Sequence, residues 1–234
     1  LPGLVKIIGT YKKGNFFKYQ NFYMENVPPQ VRIYLSSEYL KNHLNYETAI
    51  DNLLEYFECE QFPLPYESIQ DIINILEDQS SLSPELIENI LFLLDISLKS
   101  ITSDMMLSNL DLITIRRYFF HPGGSAINIF SHAIRLNPVV SEFVLKLFPQ
   151  NSFNQAVIKI FSDENSKILL PILQLVFYLS DKPEITNQLT DIFQMLIPKI
   201  HSFQFPEQVI SFKILVNFCQ NDTKYYSILY NNDC

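Results

Sequence analysis

Four histidines, three cysteines and 25 acidic residues are the side chains of this 234-residue sequence that could carry chemistry. The histidines are His43, His121, His132 and His201. None stands three or four residues from another, the spacing that turns two imidazoles toward one metal ion from a helix face. Cys59, Cys219 and Cys234 are scattered, and none lies at ligand spacing from a histidine. No metal and no cofactor are therefore expected. Cys59 sits between Glu58 and Glu60. Negative neighbours disfavour a thiolate, so it is a poor nucleophile. His121-Pro122-Gly123-Gly124 is the one glycine-rich spot, and it matches neither GxGxxG nor the phosphate-loop pattern. It reads as a turn. No GxSxG elbow is present, and a carboxylate pair is specific only with support in three dimensions. No catalytic residue is expected, and the chain is not read as an enzyme.

The elements that carry these residues follow from composition. The sequence is 47% apolar and 18% charged, which suits a sizeable core and not a disordered chain. Five glycines are few for tight-turned sheets or nucleotide-binding loops, which leaves helices. An odd number of dispersed cysteines predicts a reducing compartment, cytoplasm or nucleus. Asn221-Asp222-Thr223 fits a glycosylation acceptor, a triplet common by chance. No secretory signal is visible at Leu1, and no uncharged apolar run approaches the ~18 residues of a membrane span. The net charge of −8 is uneven. Residues 1–46 hold six basic side chains (Lys6, Lys12, Lys13, Lys18, Arg32, Lys41) and two acidic ones (Glu25, Glu38), a net of +4, which leaves −12 for the rest. An acidic body disfavours the phosphate contacts of nucleic-acid binding.

Residues 1–46 are expected to form a basic, aromatic N-terminal segment or cap. Lys12-Lys13-Gly14-Asn15 fits a hairpin turn between Val5–Tyr11 and Phe16–Tyr23. A helix fits the same residues, and both readings stand. Pro28-Pro29 ends whatever precedes it, and Ser36-Ser37 fits the start of a short helix through His43. From Glu47 the pattern is helical. Ile50, Leu53, Leu54 and Tyr56 form one apolar side, and Pro63 and Pro65 break it. Ile69, Ile72, Ile73, Ile75 and Leu76 make the next helix. Ser83-Pro84-Glu85 predicts a helix start with Ser as N-cap and Pro at the first position, running to about Ser100. Asn137-Pro138, Asp181-Lys182-Pro183-Glu184 and Phe205-Pro206-Glu207 predict similar starts. Pro171 and Pro198 fall inside apolar runs and should kink them or mark boundaries.

An internal repeat organises residues 47–234. Leu169, Ile172, Leu175, Val176, Tyr178 and Leu189 align with Val209, Phe212, Leu215, Val216, Phe218 and Leu229 at an offset of 40. The same columns hold Ile127, Phe130, Ala133, Ile134, Leu136 and Leu147, then Ile87, Ile90, Leu93, Leu94, Ile96 and Leu107. A fifth row keeps Ile50, Leu53, Leu54 and Tyr56 but fails at Glu47 and Glu67, as suits a terminal cap. One helical unit cannot bury its apolar side alone, whereas stacked units bury a continuous core. An irregular helical bundle with regular helix lengths would also show partial matches.

The period near 40 falls in the armadillo and HEAT range. Gln208–Asn221, with Leu215-Val216-Asn217-Phe218-Cys219, resembles the last helix of an armadillo repeat. The resemblance covers about residues 47–234. It implies an all-α fold, a right-handed α-solenoid of about four to five armadillo-like repeats of ~40 residues, with a concave groove lined by those last helices. One groove column reads Asp51, Leu91, Ser131, Leu173 and Lys213. The other reads Glu55, Asp95, Arg135, Phe177 and Asn217. Residues four apart share a helix face, so these ten form the candidate partner-binding groove. Nuclear import adaptors of the importin-alpha type place Trp and Asn in these columns. This sequence has no Trp, and only Asn217 fits. Nuclear-signal binding is therefore not implied, nor is the basic groove of the beta-catenin type.

Asp51, Glu55 and Asp95, with Glu47 and Glu58 nearby, make the first half of the groove acidic. That suits a basic segment of a partner protein, a solvated face, or the chain's own residues 1–46. The expected function is a protein-protein interaction module or scaffold, with neither nucleic acid nor membrane as partner. The second reading is a structural or regulatory, autoinhibitory-type subunit or piece of a larger assembly.

Overall fold

The computed structural model describes residues 46–60, 64, 66–77, 82–101, 107–149, 152–163 and 166–231. The hairpin-or-helix segment 1–45, the short helix expected at Ser36–His43, and the side chains of Cys59 and Cys234 lie outside the described residues. The chain is all-α, with no strand among the described residues. No helix of those residues is long and apolar enough to cross a membrane. Two compact units divide at Leu93/Leu94, inside one continuous helix.

The first unit contains α1 (Tyr46–Glu60), α2 (Tyr66–Glu77) and the start of α3 (Pro84–Ser100). Its apolar spacing builds its core: Ala49, Ile50 and Leu53 of α1, Ile69, Ile72, Ile73, Ile75 and Leu76 of α2, and Leu86, Ile90, Leu91 and Leu93 of α3 are buried. Helix α3 begins where Ser83-Pro84-Glu85 predicts. The Leu86 N–H donates to Ser83 Oγ at 3.1 Å, satisfying a first-turn donor that has no intrahelical acceptor.

The second unit holds the end of α3, then α4 (Asn109–Arg116), α5 (Ser125–Leu136), α6 (Ser141–Lys146), α7 (Ser152–Phe161), α8 (Leu169–Ser180), α9 (Pro183–Thr186), α10 (Thr190–Lys199), α11 (Phe205–Asn221) and α12 (Lys224–Asn231). Helix α8 packs on α5 and on α11, while α7 packs on α10. Helix α10 also touches α11, and α7 touches α8. Phe193 of α10, Phe218 of α11 and Tyr225 of α12 interlock with ring centroids 4.7–4.9 Å apart. The buried Tyr225 hydroxyl donates to the Thr186 carbonyl at 3.2 Å and lies 2.9 Å from Thr190 Oγ1.

Prolines act mostly at boundaries. Pro171 is the third residue of α8, where a missing N–H leaves no intrahelical bond unmade. Pro198 falls one residue before the end of α10, after which the chain tightens into a 3-10 turn, Ile200–Ser202. Asn137-Pro138 opens a 3-10 turn, Pro138–Val140, with Asn137 Oδ1 accepting from the Val139 N–H at 3.2 Å, and α6 follows directly. Pro183 starts only the four-residue α9.

His121-Pro122-Gly123-Gly124 is a turn, as its residues predict. Gly124 caps α5 at φ 75°, in the left-handed region that favours glycine. A Cβ there would lie 2.9 Å from Cγ of Pro171, so the absent side chain also lets α8 approach.

Candidate functional site

The ten groove candidates fall into three kinds of surroundings. Asp51, Glu55 and Lys213 are exposed. Arg135, Phe177 and Asn217 are half-buried. Leu91, Asp95, Ser131 and Leu173 are buried. The last group departs from the groove expectation, because a side chain enclosed by its neighbours cannot meet a partner. Leu91 and Leu173 are core residues, and Ser131 donates its hydroxyl to the Ile127 carbonyl at 3.3 Å. Asp51, Glu55 and Leu91 belong to the first unit, and the other seven to the second.

Asp95 is occupied by α5. Asn128 Nδ2 donates to its Oδ2 at 2.7 Å, and His132 Nε2 lies 2.9 Å from its Oδ1. Asn128 and His132 are four residues apart, hence on one face of α5. Their shared grip on one carboxylate ties α5 to the last turns of α3. His132 Nδ1 is buried and has no hydrogen-bond partner among the described residues. In the sequence His132 has no histidine or cysteine at ligand spacing, and that test is blind to a single carboxylate partner. The signal that could have found this cluster was Asp95 followed, 33 and 37 positions later, by two polar residues four apart.

Arg135 and Asn217 do related work. Arg135 Nη2 donates to the Leu98 and Ile101 carbonyls at 2.9 and 3.2 Å. Asn217 Nδ2 donates to the Phe177 carbonyl at 3.3 Å and to Ser180 Oγ at 3.2 Å. One turn on, Asn221 Nδ2 reaches the Ser180 carbonyl and Thr186 Oγ1, both at 2.8 Å. That amide belongs to the glycosylation-like triplet and is here bonded within the fold. The last carbonyls of a helix have no acceptor role inside it. At the ends of α3 and α8 a side chain of the next long helix donates to them, 37 to 41 positions on.

Other places offer less. An open depression of about 330 Å³ is lined by residues including Glu142, Lys146, Phe148, Phe153 and Asn154. Its two charged groups are 3.4 Å apart and belong to one helix face. Asn154 is used structurally, donating to the Gln188 carbonyl at 2.8 Å. Burial pushes the Cys219 thiol up, away from the nucleophilic thiolate. No group of His, Cys, Asp and Glu able to hold a metal ion occurs among the described residues.

No protein-family model matches the chain, and no curated protein or solved structure matches it either.

Proposed function

We propose that residues 47–234 form a right-handed solenoid of armadillo-like repeats and act as a protein-protein interaction module in the cytoplasm. The observation that carries this reading is the recurrence of inter-helix ties at the repeat interval. Arg135 reaches back 37 residues to α3, and Asn217 and Asn221 reach back 40 and 41 to α8. Ties of similar span, 37 to 41 residues, at the α3–α5 and α8–α11 joints are in keeping with stacked repeats.

The proposed groove is narrower than the ten candidates suggest. Asp95 is spent on α5, so the acidic face reduces to Glu47, Asp51 and Glu55, all exposed on α1. These carboxylates suit a basic partner segment.

Fluorescein-labelled octalysine tests the partner class. Asp51→Lys with Glu55→Lys should weaken its binding to the full chain by about fivefold at low salt. Glu184→Lys with Asp191→Lys makes the same change in net charge and should do less. Equal effects from both pairs would reduce the groove to general electrostatics and sink the reading. A structural subunit of a larger assembly is the second reading, favoured by the apolar side chains exposed on α11.

A further inference from the structure

Twelve large apolar side chains are exposed among the described residues, and six of them lie on the last two helices. Four of these six make a line on α11: Phe205, Val209, Phe212 and Val216 are 76%, 37%, 52% and 52% exposed. Their intervals of four, three and four residues keep them in one narrow stripe at 3.6 residues per turn. Asn217 and Asn221, which reach α8, lie roughly 110–150° around the helix from that stripe. The stripe therefore faces away from α8.

The same columns are covered in the two preceding long helices. On α8 they are Leu169, Ile172 and Val176, and on α5 they are Ile127, Phe130 and Ile134, all buried. Helix α8 packs on α5, and α11 packs on α8. Among the described residues α11 is followed only by the eight-residue α12, anchored by Tyr225 against Phe193 and Phe218. An apolar stripe of this length on a helix is a seam for another helix.

We propose that the Phe205–Val216 stripe docks one amphipathic helix of a partner protein, seated on α11 as α11 is seated on α8. The partner helix would have an apolar side like that of Ile214 and Phe218. It would also carry an amide or guanidinium side chain in the place of Asn217 and Asn221, to meet the last carbonyls of α11. Continuity with the α5–α8–α11 packing selects this occupant. A second copy meeting stripe to stripe would leave those carbonyls without the donors that α11 supplies at the α8–α11 joint. The inference rests on that packing and stands apart from the acidic face on α1.

The probe is a labelled, lactam-bridged peptide of residues 205–221 in which the four stripe residues are replaced by polar ones. It offers only the face with which α11 covers α8. Fluorescence anisotropy with the full chain should show saturable binding. Phe212→Lys and Val216→Lys should each weaken it by about tenfold or more, with helix content and melting temperature unchanged. Leu110→Lys, at an exposed apolar position on α4, should leave it unchanged. Lack of saturation, or binding that survives both stripe substitutions, overturns the proposal. So does a chain that sediments as a dimer and becomes monomeric in Phe212→Lys, since a second copy then fills the stripe. Asp51→Lys with Glu55→Lys should leave the peptide bound, so the groove and the stripe fail independently.

Discussion

Helices α8 and α11 carry the same apolar columns forty positions apart, and they meet different fates. Ile172 and Val176 of α8 are fully buried, whereas Phe212 and Val216 of α11 are about half exposed. The residues are equally apolar, so composition does not account for the contrast. The neighbours do. Helix α8 lies between α5 and α11, while among the described residues α11 packs on one long helix, α8, and on the shorter α10 and α12. An apolar column thus marks where a helix is able to stack. Whether it is buried depends on what stacks there.

Substitutions in one column should separate the two helices most sharply. Ile172→Ala should cost about 2–5 kcal/mol, from lost burial and the cavity left behind. Phe212→Ala should stay within about 0.5 kcal/mol, as surface changes do. Urea unfolding of both variants checks this, and equal costs would break the comparison. Leu175→Ala, in another buried column of α8, should behave as Ile172→Ala does.

A smaller loss is expected at the far side of α8. Gly124→Ala combines a positive φ with a Cβ pressed on Pro171, and should cost about 1–3 kcal/mol. A melting temperature within a degree of the parent would mean that the α5–α8 joint yields easily.

The α8–α11 joint comes next. Asn221→Ala leaves the Ser180 carbonyl only the longer bond from Thr186 Oγ1 at 3.4 Å and should cost about 1–2 kcal/mol. Asn217→Ala should cost less, because its bonds are longer at 3.2 and 3.3 Å. The reverse order in thermal melts would shift the main tie one turn toward the start of α11.

The smallest effect lies at the exposed link to α12. The backbone N–H of Lys224, and then its side chain, hold the Asp222 carboxyl below its ordinary value. A depressed carboxylate adds stability above its unfolded pKa, and loses it as pH falls through the folded one. Asp222→Asn should therefore melt slightly below the parent at neutral pH and level with it in acid. Lys224→Ala removes the ammonium and keeps the backbone donor. The Asp222 midpoint, followed by NMR, should then rise only part of the way back. No movement at all would leave the ammonium without influence on this carboxylate.

Local signals were legible where they involve neighbours in sequence. Ser83 caps α3, Phe205-Pro206-Glu207 opens α11, and His121–Gly124 turns into α5, because caps and turns act within a few residues. The apolar columns of α5 and α8 were equally readable, because a helix repeats every 3.6 residues. The candidate site was legible as a pair of columns but not as a surface. Leu91 and Leu173 turned out to be core, and Asp95 became the acceptor of Asn128 and His132. Four-residue spacing places two residues on one face and does not say what that face meets.

By itself, then, the sequence determined the helical class, the starts at Ser83 and Phe205 and the columns able to pack. Those are set by backbone geometry and by the free energy of removing apolar area from water, both local or periodic in the chain. Only the tertiary structure decided which columns are covered. It also decided that Arg135, Asn217 and Asn221 spend their donors on carbonyls 34 to 41 residues away. Those partners are chosen by how whole helices come together, and a hydrogen bond between them exists only once that docking has placed donor and acceptor within about 3 Å.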